Sequence, residues 1–152
     1  MILRSTASQS SNIQYAALPW RSAEGAIEIL LITTRTTKRW IVPKGWPMKG
    51  CTPAECAAHE ALEEAGVMGE MAGQALGTFR YNKLRRSGDI VPCTVHVFAM
   101  KVTQQRTSWV EKRQRETRWC TPEEALARVT DPGLRRLIGK FAKAATPLHQ
   151  AG

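Results

Sequence analysis

The sequence predicts an α+β fold, a mixed β-sheet with helices packed against it. Three observations carry this. Apolar runs of strand character at 13–18, 26–34, 76–84 and 91–102 are interleaved with helical segments, in the order strands, helix, strands, helices. Two of the helical segments open on one capping pattern, Thr52-Pro53-Ala54-Glu55 and Thr121-Pro122-Glu123-Glu124. The chain has 152 residues, 43% hydrophobic and 23% charged, which suits one core and leaves little room for two.

Taken in order, residues 1–12 are polar and serine-rich and read as a disordered tail, leaving one domain over 13–147. The strand at 26–34 is interrupted only by Glu28, so it reads as central. Residues 35–39 form a basic turn, 40–42 a short extended piece closed by Pro43, and 44–50 a loop holding Gly45, Pro47 and Gly50. The helix at 54–65 is rich in Ala, Glu and Leu, which favour helix. Thr52 can cap it, Pro53 suits its first position, and Gly66 stands where a left-handed stop is wanted. The segments 76–84 and 91–102 read as a hairpin through Arg85-Arg86-Ser87-Gly88-Asp89. A further strand is expected at 114–120 and a helix at 121–129. A last helix at 133–145 carries Leu134, Leu137, Ile138 and Phe141 at helical spacing.

Composition narrows the partners. No apolar stretch approaches a membrane span. The polar N-terminus has no apolar signal core, so a cytoplasmic protein is expected. Four cysteines without a C-x-x-C exclude a zinc ribbon or a thioredoxin motif and read as free thiols. A net charge of +9 points to an anionic partner. The charge is uneven. Residues 51–70 hold five acids (Glu55, Glu60, Glu63, Glu64, Glu70) and no Lys or Arg, whereas residues 80–118 hold ten Lys or Arg. That suits a divalent metal site facing a polyanion, and equally an acidic helix on a basic protein.

Glu60, Glu63 and Glu64 stand at i, i+3 and i+4, within an arc of roughly 100° on one helix face. Carboxylates so placed repel one another, and no Lys or Arg of the same helix offsets them. A hard divalent cation would; a solvated acidic face is the other reading.

The segment from Gly45 to Val67 resembles the Nudix box, G-x5-E-x7-R-E-U-x-E-E-x-G-U with U a bulky apolar residue. Gly45, Glu60, Glu63, Glu64, Gly66 and Val67 match, and Pro43-Lys44 precedes them as in many boxes. Cys51 stands at the first Glu, His59 at the Arg and the small Ala61 at an apolar position. The resemblance implies a Nudix α/β/α sandwich, with which the order of strands and C-terminal helices read above is compatible, and a Mg²⁺-dependent pyrophosphohydrolase, with Mn²⁺ as the alternative ion. By that resemblance Glu60 and Glu64 are the principal metal ligands. Glu63 binds a second metal or accepts the proton of the attacking water, and Glu111 and Glu116 are the candidate bases outside the box. Gly45 shapes the metal loop, and Lys44 can touch phosphate. Arg80, Lys83, Arg85 and Arg86 form one candidate phosphate clamp; Arg113, Arg115 and Arg118 form another, because alternate residues of a strand share a face.

The runs around Trp40–Pro47 and Arg118–Ala125 look like the diphosphoinositol polyphosphate and diadenosine polyphosphate hydrolase branch, so a polyphosphorylated small molecule is the expected substrate. A homodimer is compatible with the resemblance. Nucleic acid is not the expected partner, since no RNA-binding motif is present. Cys51 and His59 keep a second reading open: a Nudix-fold sensor that binds a nucleotide or polyphosphate and cleaves it weakly or not at all.

Overall fold

A tight hairpin starts the sheet. Strands β1 (Ile13–Ala23) and β2 (Ala26–Thr33) are joined by Glu24 and Gly25, both at positive φ (49° and 80°). Two successive residues of that kind give the turn whose twist matches the strands it joins. The computed structural model describes residues 12–151, with side chains described through residue 145. The expected tail therefore lies outside the described residues except for Asn12, whose carbonyl accepts from the Thr94 N–H. Strand β1 runs past the expected end at residue 18. Arg21 and Ser22 look like turn residues, but Arg21 pairs across the hairpin with Glu28 at 2.8 Å, so the polar end remains strand.

Two very short strands follow, β3 (Trp40–Ile41) on β2 and β4 (Lys44–Gly45) on β1. The sequence led us to expect loop at 44–50. Its first two residues instead lie antiparallel to Tyr15 and Ala16, which fixes their backbone against the sheet. Helix α1 (Pro53–Ala65) has the expected caps. Thr52 and Glu55 exchange both bonds of the capping box, and Gly66 closes the helix at φ 71° with its N–H on the Leu62 carbonyl. Thr52→Ala should cost about 1 kcal/mol of stability, read as a lower urea midpoint at unchanged slope.

Strand β5 (Val67–Met71) was not expected. It holds Gly69 and Glu70 and carries a bulge between Met68 and Gly69, which hides its alternation. Strands β6 (Gly77–Leu84) and β7 (Ile90–Gln105) form the expected hairpin, β7 being longer than anticipated. Strand β8 (Thr117–Cys120) pairs with β2, and only the second half of the strand expected at 114–120 forms. Helices α2 (Pro122–Arg128) and α3 (Pro132–Ala151) end the described chain.

Among the described residues the strands make one mixed sheet, ordered β3-β2-β1-β7-β5. Strand β4 pairs with β1, β6 with β7 and β8 with β2. The β1–β7 pairing is parallel. Helix α1 covers one face, setting Ala57, Ala61 and Ala65 on Leu30, Ile32 and Phe98. Helices α2 and α3 cover the other through Ala125, Leu134 and Ile138 on Leu31, Phe79 and Val97. Strand β2 is thus buried from both sides, which explains its continuous apolar run. The alanine face of α1 allows a close approach to the sheet. Its polar face then meets β4 and the loop before β8.

Candidate active site

Burial separates the three glutamates. Glu64 is 5% exposed, Glu60 is half-buried, and the Glu63 side chain is 36% exposed. Glu64 Oε1 accepts the Lys44 backbone N–H at 3.2 Å, and its Oε2 lies 3.6 Å from Arg115 Nη2. Glu63 Oε1 lies 2.7 Å from His59 Nε2, one helical turn back. The Glu60 carboxyl rests on the bare Cα of Gly45. A Cβ there would come within 2.6 Å of both its oxygens. The Glu60 and Glu64 carboxyls are within hydrogen-bonding reach of each other.

Burial pushes the Glu64 carboxyl up to about 8, the Glu60 charge adding to the effect while Arg115 opposes it. Burial likewise raises Glu60, with the Glu63 charge adding. Such a pair tends to retain a proton until a cation compensates it. A pair of hard carboxylate oxygen donors is what Mg²⁺ takes from a protein, the rest of its shell being water and phosphate, so the chemistry of these two residues fits the ion. The expected trio does not converge. Among the described residues no group of three or more His, Cys, Asp or Glu forms a ready-made metal cage. Glu60 and Glu64 meet, while Glu63 is drawn toward His59.

The segment between β7 and β8 completes the site. It docks on the C-terminal end of α1: Arg106 N–H bonds the Gly66 carbonyl at 2.8 Å and Glu111 N–H bonds the Glu63 carbonyl at 3.0 Å. The Trp109 ring lies over Gly66, where a side chain would collide with it. These bonds satisfy carbonyls that the helix end leaves free. The same segment delivers Arg115. Its Nε donates to Glu111 Oε1 at 2.8 Å and its Nη1 to the Thr33 carbonyl at 3.0 Å. The expected clamp of Arg113, Arg115 and Arg118 does not share a strand face, because regular strand begins only at Thr117. The Arg115 side chain is only 9% exposed; Arg113 and Arg118 are exposed. Of the two outside acids, Glu111 reaches the cluster through Arg115, whereas Glu116 is exposed and uses its backbone to hold Thr33.

Lys44 faces the other way. Its Nζ donates to Tyr81 Oη at 3.0 Å, and Tyr81 donates to Gln14 Oε1 at 2.7 Å. Burial lowers the Lys44 ammonium to about 8, with the Lys83 charge adding. A cavity of about 220 Å³ opens beside it, lined by Arg39, Trp40, Lys44, Phe79, Tyr81 and Asn82 among others. The four hairpin bases are divided. Lys83 shares the Tyr81 face of β6 by alternation and lies near Lys44 and, at 6.0 Å, over the Trp46 ring. Arg80 falls on the opposite face, and Arg85 and Arg86 stand in the exposed turn beyond the strand.

Sequence reasoning missed Arg115 as a partner of Glu64, and it missed Tyr81, Gln14 and Trp109. The unbalanced charge of α1 was the available signal: a helix with buried acid and no base of its own needs a cation from elsewhere.

The NUDIX domain family profile matches residues 14–141. Nudix hydrolase 12, mitochondrial, of Arabidopsis thaliana is 30% identical over 120 residues, covering 77% of this chain and 59% of that protein. Diphosphoinositol polyphosphate phosphohydrolase 3-alpha of Mus musculus is 33% identical over 115 residues, covering 73% of this chain and 65% of that one. The chain therefore spans a little under two thirds of the length of these curated relatives. A crystal structure of a C. elegans Ap4A hydrolase binary complex superposes with a TM-score of 0.67 at 18% identity, over 89% of this chain and 98% of that one.

Proposed function

The chain belongs to the NUDIX family, and from that premise we propose that it is a divalent-metal-dependent pyrophosphohydrolase cleaving a phosphoanhydride bond in a polyphosphorylated small molecule. The observation that carries the reading is the Glu60–Glu64 pair, the first half-buried and the second buried, held between Gly45, the Lys44 N–H and Arg115. Glu60 and Glu64 would hold Mg²⁺, or Mn²⁺ in its place. When bound, the ion supplies charge neutralisation at phosphate and a lowered pKa for bound water.

The other groups are the chain's own. Glu63 stands outside the pair and is half-exposed, so it is the box carboxylate available to take the proton of the attacking water. His59 holds it from one turn away. Lys44 and Lys83 would receive the phosphate chain, Lys44 being steered by Tyr81. Arg80, Arg85 and Arg86 are too dispersed to act with them as one clamp, and would contribute to the attraction of a polyanion over longer range.

The substrate is read from the cavity beside Lys44. Its ring faces, Trp40, Phe79 and Tyr81, with Asn82 among them, suit a nucleobase, which favours a dinucleoside polyphosphate. The net charge of +9 favours a diphosphoinositol polyphosphate, the class named in one relative. Product release from both, from ADP-ribose and from nucleoside triphosphates, with and without Mg²⁺, separates the readings. Cleavage that needs Mg²⁺ and falls by about three orders of magnitude in Glu60→Gln is the expected result. Tight binding without turnover of any member would instead favour the sensor reading that Cys51 and His59 suggest.

A further inference from the structure

We infer that Arg115 is a positioning residue for Glu64, fixed by Glu111 and the Thr33 carbonyl, and that it supplies from outside the box the cationic support that α1 lacks. The inference rests on the metal-site reading above. Helix α1 carries no Lys or Arg, and the residue at its usual arginine position, His59, is engaged with Glu63. Glu64 is the most buried of the three glutamates and faces a second carboxyl. A buried carboxylate without a cation nearby is costly.

Arg115 meets that need in a particular way. Its side chain is 9% exposed, and its short hydrogen bonds run to Glu111 and Thr33 rather than to Glu64. The guanidinium is therefore held in place whether or not Glu64 is ligated. At 3.6 Å it stabilises the Glu64 charge without occupying that oxygen through a short bond. Oxygen lone pairs stay available to an ion. A lysine could not reproduce this, because one ammonium cannot span Glu111, Thr33 and Glu64 in the planar fork that arginine presents.

Glu111 then acts through Arg115 and not on the substrate. Its N–H is spent on the Glu63 carbonyl and its carboxylate on Arg115. Trp109, lying over Gly66, seats the segment that carries both.

The test compares the full chain with Arg115→Lys, Glu111→Gln, their combination and Glu60→Gln. Binding of Mn²⁺ alone is followed by electron paramagnetic resonance, and kcat and KM are measured on the member of the panel above that the wild type cleaves fastest. Arg115→Lys should weaken Mn²⁺ binding about fivefold and lower kcat about tenfold or more, with KM changed by no more than about twofold. Glu111→Gln should move the same quantities in the same direction, and the combination should cost no more than Arg115→Lys alone. Should Arg115→Lys fail to fold by circular dichroism, Glu111→Gln still reads the coupling through Mn²⁺ binding. Wild-type Mn²⁺ binding and kcat in Arg115→Lys, or in a folded Glu111→Gln when the lysine variant does not fold, overturns the inference. So does a Glu111→Gln loss that exceeds the Arg115→Lys loss and adds to it, which would make Glu111 the proton acceptor. Undiminished Mn²⁺ binding in Glu60→Gln would instead sink the metal-site reading itself.

Discussion

Replacing Glu64 by glutamine is expected to stabilise the metal-free protein and to remove its hydrolytic activity. The two effects have one cause. The Glu64 carboxyl is pushed up to about 8 in the folded chain, from an ordinary value of 4.5, chiefly by burial. A group whose pKa rises on folding contributes stability that is fully present below its unfolded value and is lost as pH rises through its folded value. The wild-type, metal-free protein should therefore lose stability between about pH 4.5 and about pH 8. Glutamine resembles the protonated acid in shape but cannot ionise. It should flatten that part of the pH profile and raise stability at pH 7.5 by on the order of 1–3 kcal/mol.

Mg²⁺ should produce a similar flattening in the wild type, because an ion that binds only the folded state stabilises it, and should do little to the variant. Urea midpoints from pH 5 to 9, with Mg²⁺ and with chelator, measure all of this. A metal-free wild type whose stability is constant over that range would contradict the burial argument. Turnover should fall by about three orders of magnitude, the scale set by losing a principal charged ligand.

What the sequence disclosed follows the range of the interactions involved. Helix α1 was readable to within a residue because its caps are local: Thr52 and Glu55 are three apart, and Gly66 needs only its own backbone freedom. Strand β2 was readable because burial on both faces leaves an unbroken apolar run. Strand β5 was not, because its bulge breaks the alternation and Gly69 is required by a close approach to the Lys101 carbonyl of β7, far away in sequence. Strand β4 was hidden for a similar reason. Its two residues are strand only because β1 lies beside them.

The same division runs through the site. The spacing of Glu60, Glu63 and Glu64 placed them on one side of one helix, but not their differing burial, which depends on β4 and on the segment before β8. Spacing also suggested that Arg113, Arg115 and Arg118 act alike. The turns over that segment send Arg115 inward to Glu64 and leave the other two in solvent. A rule of alternation fails where there is no strand to impose it.

Gly45→Ala separates the fold from the chemistry. The added methyl would stand about 2.6 Å from both Glu60 oxygens, closer than atoms can sit, so something must yield. What yields is the far end of a flexible side chain and not the backbone. Gly45 is also not at positive φ, so alanine suits its conformation. The stability cost should be below about 1 kcal/mol, in the range of substitutions that disturb neither core nor backbone. The displaced group is nevertheless the carboxyl that must meet Glu64. A shift of about 1 Å at such a group can cost about 100-fold in rate, so kcat should fall by at least that much while the protein stays folded. Affinity for Mn²⁺ should fall with it, since the two carboxyls no longer converge. Thermal melts, Mn²⁺ titration and kcat on one preparation provide the comparison. A variant with wild-type kcat would show that the Glu60 carboxyl need not rest on Gly45 to act, and would remove the geometric basis for the β4 strand as one wall of the site.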